Sequence, residues 1–405
     1  MTDETIGEIQ PSYKDPKKYL WSISTFLTLV PVFSIWLYGQ TNSEWALWFS
    51  FGFFYIAVPC IEMLFGTDPS NPPREAIGPL SRDKYYSRII YLSIPFIYGS
   101  WIYGGYFLAN ETLQSETLNR ESLGLNGYVA LTVGVGMMLG GSLNAGHETG
   151  HRKGAVAGFF TRLFLSVSLM GHFRIEHNLG HHAQVATEKD SATSRMGENF
   201  YAFTLRELPG GYLRAWRIEK ARLNRLGKSA FNPGNELLQN WTLTVLFYAA
   251  FVVGLGWIIL PYLLGAGLFA NLMLSSANYI EHYGLIRTRQ ADGKYEKVQP
   301  RHSWNANHIV SNVLLLHLQR HSDHHAHAGR PYQCLRHFDQ SPQMPYGYFT
   351  MYLLAWMPFL WFRIVDPLLA RQLDFDMNKA YIKDSYKAYA FEKYHHPETI
   401  QARAG

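Results

Sequence analysis

Cysteine is nearly absent, with two residues in 405, Cys60 and Cys334. They form no C-x-x-C pair, which excludes both a disulfide framework and a thiolate metal site. Charge is sparse as well, at 17% Asp, Glu, Lys and Arg. Internal repeats, low-complexity tracts and linker-like stretches are also missing, so residues 1–405 read as one domain. The opening MTDETIGEIQ is acidic and lacks the basic n-region of a signal peptide. No cleaved leader is expected, and the first apolar segment serves as the insertion signal.

Apolar residues fill the space that charge leaves. The chain is 47% hydrophobic and 15% aromatic, unevenly distributed. A hydrocarbon layer of roughly 30 Å needs about 20 apolar residues in a helix. Six segments satisfy this: Leu20 to Tyr38, Trp45 to Phe65, Ile89 to Leu108, Gly127 to Leu143, Trp241 to Leu260 and Tyr262 to Ile280. Placing residues 1–19, 66–88, 144–240 and 281–405 in the cytoplasm puts 35 of the 36 Lys and Arg inside. The one basic residue left for the outside is Arg120, in the acidic loop NETLQSETLNRESLGLN. The asymmetry therefore predicts cytoplasmic N- and C-termini. Pro261 is expected to mark the turn of a transmembrane hairpin. Ala155 to Met170 has Arg162 in its middle and reads as a helix at the inner face; Tyr346 to Phe362, interrupted by Pro358, is expected to be cytoplasmic or half-embedded.

Seventeen histidines occur, and eight fall in three clusters at metal-ligand spacing. The first, HETGH (His147, His151), matches the H-E-x-x-H of helical zinc proteases, with Glu148 in the place of the base. A protease needs one zinc and one further ligand, however, and here EHNLGHH adds His177, His181 and His182, while LQRHSDHHAHAGRPYQ adds His321, His324 and His325. Gly127 and His147 are 20 residues apart, about 30 Å along a helix, so His147 falls where the helix leaves the hydrocarbon. Tyr262 to His282 is the same distance. Nine neutral donors exceed one ion's four to six ligands and imply two metals. On α-helical spacing, His177 pairs with His181 while His182 diverges, and His321 pairs with His324 while His325 diverges. The scattered His172, His302, His308, His317, His327, His337, His395 and His396 read as structural or exposed.

The Glu and Glu-x-x-His pattern of soluble di-iron proteins does not recur. Glu148, Glu176, Glu281 and Asp323 each adjoin a candidate ligand and so point away from that ligand's metal. They are expected to accept the outer ring N–H of a histidine from another helix.

The blocks NAGHETGH, EHNLGHH, DSATSRMGENFYAF, NYIEHYGL, HSWNANHIVSN and LQRHSDHHAHAGRPYQ resemble those of the membrane fatty acid desaturase and hydroxylase superfamily, and most closely its alkane 1-monooxygenases. The resemblance runs from about Tyr19 to Asp366. It agrees with the fold expected from the apolar segments and histidine clusters, an all-α polytopic membrane protein with six transmembrane helices and a cytoplasmic helical cap carrying a histidine-rich di-metal site. It also implies a di-iron enzyme, with O2 as co-substrate, that hydroxylates the terminal carbon of an alkane drawn from the bilayer of a bacterial inner membrane. Carried over position by position, the iron ligands are His147, His151, His177, His181, His182, His282, His321, His324 and His325. Electrons would come from rubredoxin, reduced by a rubredoxin reductase with NAD(P)H. Some members carry a fused rubredoxin, but the paired C-x-x-C motifs it requires are missing from this sequence, so a separate donor is expected. No nucleic-acid partner is expected.

Two alternatives stand beside this reading: another superfamily member, such as an acyl desaturase or an aromatic side-chain hydroxylase, and, more remotely, a zinc-dependent intramembrane protease. An alkane has no polar handle, and a methylene contributes only about 1 kcal/mol, so selection would rest on the length and shape of a pocket. The densest aromatic run is EWALWFSFGFFYIAVPCIEMLF. Phe54 within it lies roughly 16 Å above the cytoplasmic end near Phe65, about the length of an extended medium-chain alkane. The resemblance also favours a bulky residue on this helix, so Phe54 is the candidate to close a substrate tunnel.

Overall fold

The computed structural model describes residues 13–111 and 122–396. The acidic opening, Arg120 and Arg403 lie outside the described residues. Among those described, the chain is helical, with only isolated bridges and no strand. Ten helices position the site: α1 (Ser22–Thr41), α2 (Glu44–Phe65), α3 (Lys84–Ala109), α4 (Leu125–Gly150), α5 (Ala155–Ser166), α6 (Phe200–Arg225), α7 (Glu236–Leu255), α8 (Leu260–His282), α9 (Tyr348–Trp356) and α10 (Pro358–Gln372).

Among the described residues, five stretches are long and apolar enough to cross a membrane, α1, α2, α4, α7, and α8 with the turn before it, and the bent pair α9 and α10 makes a sixth if counted as one span. Helix α3 covers the expected segment Ile89 to Leu108 with 26 continuous residues, started by Asp83, whose side chain accepts from the Tyr85 N–H. Its tyrosines, serines and glycines make it less apolar than the other five. The side chains of Trp36, Trp45, Leu246, Val253 and Trp257 are exposed on the outer faces of the bundle. A bilayer would cover such surface, whereas water would not.

The breaks follow from local chemistry. Helix α1 passes through a 3-10 turn at Leu27–Leu29 just before Pro31, and α2 widens to a π-helix over Phe53–Ala57 just before Pro59. Proline removes a backbone donor and crowds the preceding turn, so each ladder changes pitch there. Helix α7 ends at Leu255, and Gly256, at φ +87°, reverses the chain. Pro261 does not mark the turn of this hairpin: it sits in the first turn of α8, where its missing N–H costs nothing. The pair α9 and α10 bends by 120° at Met357, ahead of Pro358. Met357, at φ −113° and ψ 81°, leaves the helical region because a residue before proline is pushed out of it. Helix α5, with 12 residues, is too short to span.

Helix α4 is the most buried of the candidate spans. It packs closely on α8 because small residues face bulky ones. A Cβ on Gly136 would lie 2.7 Å from Phe269 Cβ and 3.0 Å from the Ala266 carbonyl oxygen, and one on Gly265 would meet Thr132 at 2.8 Å. Close backbone approach of this kind drives association where the surroundings are themselves apolar. It also holds the two helix ends that carry His147 and His282 in register.

Gly136→Ala is therefore expected to force α4 and α8 apart and destabilise the protein by about 1–3 kcal/mol. Gly99→Ala on α3, where a Cβ meets nothing within 4 Å, should leave stability unchanged or slightly higher. Thermal unfolding of both variants in the same detergent checks this, and equal melting temperatures would contradict it.

Candidate metal centre

Four parts of the chain converge below the bundle. Helix α4 carries His147 near its end, with His151 just after it, and α8 ends on His282. A π-helical turn, Glu176–His181, presents His177 and His181, with His182 following, and the short helix His321–Ala326 presents the last three.

The imidazoles form two groups. His147, His151, His177 and His324 make one; His181, His282, His321 and His325 make the other; within each, one nitrogen per ring lies within 4.8 Å of all the rest. His182 joins the first group, its Nε2 3.1 Å from that of His177 and 3.0 Å from that of His324. Other inward Nε2 pairs are His147 and His324 at 3.0 Å, His177 and His151 at 3.1 Å, His181 and His325 at 3.2 Å, His321 and His282 at 3.2 Å, and His325 and His321 at 2.7 Å. All nine histidines singled out in the sequence are thus brought together, and the scattered eight are not. Of those, His172 stacks on Tyr212, and His317 bonds through Nδ1 to the Tyr332 carbonyl.

Spacing pairs the histidines differently from the structure. His177 and His182 share a group, and His181 faces the other. Residues five apart diverge by about 140° on an α-helix. A π-turn, with its i→i+5 bonds, brings them to one side. His321 pairs with His325, not His324, because residues three and four apart lie about 60° and 40° to either side of the first. Both directions are within reach, and the neighbours decide: His147 and His182 lie on one side and His282 on the other.

Burial, reinforced by the neighbouring imidazoles, holds His177, His182, His321, His324 and His325 well below their ordinary pKa and brings His151 down to about 4. Each is neutral at pH 7, with a lone pair available. The Nδ1 atoms of His282, His321 and His325 have no protein partner. Several inward nitrogens each face two or more others, which one N–H or one lone pair cannot satisfy by hydrogen bonding. Convergent neutral imidazoles without a thiolate fit two first-row transition ions.

A cavity of about 100 Å³ opens from the inward rings of His147, His177 and His321 and runs into the bundle as far as Phe54 and Phe349. Met137, Met138, Met273 and Ile97 make most of this passage apolar.

Residues 125–355 match the family model described as fatty acid desaturase. Across 389 residues the chain is 42% identical to an alkane 1-monooxygenase of Pseudomonas putida, covering 95% of this chain and 94% of that one. It is 41% identical to the alkane 1-monooxygenase of Ectopseudomonas oleovorans over 95% and 93%, and 41% identical to alkane 1-monooxygenase 1 of Alcanivorax borkumensis over 94% and 92%. The chain belongs to the alkane 1-monooxygenases of the fatty acid desaturase family.

In this monooxygenase, three of the four acids expected to hold histidines hold cations instead. Glu148 Oε1 accepts from Arg152 at 2.8 Å, Glu176 pairs with Arg214, and Asp323 binds Arg330 and His327, which is in neither group. Each sits beside a flexible cation, Arg152 and Arg330 in the turns just after the acid's own helix and Arg214 on α6, and a full positive charge outcompetes a neutral ring N–H. Glu281 alone approaches a ring of the groups, that of His321. The residue that accepts an outer ring N–H is one the sequence reading left without a role. Asp190 Oδ2 lies 3.0 Å from His181 Nδ1, while Thr193 and Arg214 hold the same carboxylate. Asp190 opens the block DSATSRMGENFYAF, which carried the resemblance, but no spacing relates it to His181.

Below the third cluster, Arg320, fully buried, bonds to Asp68 Oδ2 at 3.0 Å and to the Leu335 carbonyl at 2.9 Å. Lys17 also pairs with Asp68 and lies 3.0 Å from His317 Nε2. This network ties the N-terminal segment and the strap after α2 to the residue preceding His321.

Asp190→Asn is expected to weaken metal binding by about 10–100-fold by freeing the His181 ring. Competition with a chelator measures it, and unchanged affinity would remove Asp190 from this role. In metal-free protein, the unfolded histidines titrate near 6.5, above the folded ones, so the unfolded chain binds more protons below that pH. Stability should therefore fall as pH drops from about 7 towards 5. A melting temperature that is flat or rises over that range would contradict neutral burial.

Proposed function

We propose that this chain hydroxylates the terminal carbon of alkanes at two iron ions. The balance is one alkane, one O2, two electrons and two protons giving a 1-alkanol and water. One observation carries the reading: two groups of converging imidazoles open onto an apolar cavity lined by methionine and aromatic side chains. The relatives named alkane 1-monooxygenase, matched over nearly the whole chain, support it.

His147, His151, His177, His182 and His324 would hold one iron and His181, His282, His321 and His325 the other. Bound iron supplies the O2-activating redox chemistry that an inert C–H bond demands. The chain's own residues hold the alkane and keep the site dry. Met137, Met273, Phe349 and Ile97 offer the substrate apolar contact area. With one methyl at the imidazoles, the rest of the chain must run up the cavity, so the terminal carbon is the one presented.

The histidines lie on the side to which the Lys and Arg distribution assigns the cytoplasm of a bacterial inner membrane. Electrons would come from a separate rubredoxin, reduced by its reductase with NAD(P)H. The chain's net charge of +5 would favour encounter with an acidic carrier.

The deciding experiment reconstitutes the protein with ferrous iron, rubredoxin, reductase and NADH, and analyses products from alkanes of graded length. 1-Alkanols with two irons per chain are expected. A double bond or a ring-methyl alcohol as the preferred product would replace this reading with another member of the superfamily.

Phe54 lines the cavity and stacks on Phe349 with centroids 5.5 Å apart. If it closes the substrate tunnel, Phe54→Ala extends hydroxylation to longer alkanes with iron content unchanged. The product profile across chain lengths checks this; an unchanged profile in a folded, iron-loaded variant moves the end of the tunnel to another residue.

A further inference from the structure

The two groups are unequal in imidazoles, five against four, and the smaller one has a carboxylate at its inner edge. Glu281 immediately precedes His282 at the end of α8. Its Oε1 accepts from the Tyr348 hydroxyl at 3.0 Å, which aims Oε2 at the second group, 3.3 Å from His321 Nε2. That nitrogen already lies 2.7 Å from His325 Nε2 and 3.2 Å from His282 Nε2. A ring nitrogen carries one hydrogen or one lone pair, so it cannot bond to three partners. Three donor atoms clustered about it are instead what donors around a shared ion look like.

The alternative role, fixing a ring from outside, would place the carboxylate on Nδ1. His321 Nδ1 has no partner, and Glu281 approaches the inward nitrogen. Asp190 on His181 Nδ1 shows the outer arrangement within the same site, and Glu281 does not share it. Glu281 also lines the cavity beside His147, His177 and His321. Its oxygen thus lies on the face where substrate would approach.

We propose that Glu281 supplies a carboxylate oxygen to the second metal, completing five protein donors there to match the five imidazoles of the first. The inference rests on reading the two groups as iron sites. A carboxylate is a harder donor than imidazole and brings a negative charge. The second iron then differs from the first in ligand field and in formal charge, and it holds the ferric state more strongly.

The test uses the full chain in nanodiscs, loaded with 57Fe(II). Iron retention during dialysis against a chelator and the Mössbauer doublets are read for the wild type, Glu281→Gln and Glu281→Asp. For Glu281→Gln, one of the two irons should leave at least tenfold faster than in the wild type. The doublet of that iron should change while the other stays as it was. Two irons leaving at wild-type rates with both doublets unaltered would overturn the assignment. If Glu281→Gln does not yield folded protein, Glu281→Asp, which keeps the charge on a shorter arm, is read by the same two measures. Faster loss of one iron supports the proposal, and wild-type behaviour overturns it. Fewer than two irons in the wild type would instead count against the iron reading itself, before Glu281 is in question.

Discussion

Nine imidazole nitrogens brought within a few ångströms of one another are the constraint around which this molecule is built. Protonated, they would repel; solvated, they would disperse. They stay together because burial keeps His151, His177, His182, His321, His324 and His325 neutral and because each ring is mounted on an element that is itself anchored. The ends of α4 and α8 are held in register by glycine-mediated packing. The π-turn is braced by Asp190, Arg214 and Glu176, and the third cluster by Asp323 with Arg330 on one side and Asp68 with Lys17 and Arg320 on the other. Removing one partner from such a buried pair costs about 3–5 kcal/mol, so the ionic scaffold enforces a geometry more than it adds stability.

The scaffold also divides the site's surroundings. On one side lie the charged networks of Asp190, Arg214, Glu176, Asp323 and Asp68; on the other lies an apolar cavity lined by methionine and aromatic side chains. An oxygen-activating site needs both, a polar frame to hold its metals and a dry chamber for a substrate that offers nothing to hydrogen-bond. Among the described residues, the two π-helical stretches both border this arrangement: Phe53–Ala57 where Phe54 lines the cavity, and Glu176–His181 where the imidazoles divide. In each case one extra residue per turn aims side chains where a regular helix could not.

Much of this was legible in residue order alone. Helix length against bilayer thickness placed His147 and His282 at one level. The cluster spacing set the number of donors and excluded a one-metal protease. Proline at 358 announced the bend after α9, since a local steric rule needs no tertiary information. Pro261 misled as a turn marker because proline is equally at home in the first turn of a helix, and Gly256, with its positive φ, makes the reversal.

Residue order alone carries the inventory: an all-helical chain with apolar spans, eight histidines at metal-ligand spacing and a ninth, His282, at matching depth. How that inventory is distributed follows from long-range packing. Helical periodicity leaves residues three and four apart equally able to serve one site, so His324 and His325 take their sides from the rings that approach them. A π-turn is invisible to a 3.6-residue repeat, so His177 and His182 share a group against expectation. Whether an acid holds a histidine, a cation or a metal depends on what arrives from distant segments. Glu148, Glu176 and Asp323 meet arginine, Asp190 meets His181, and Glu281 meets the inward nitrogen of His321.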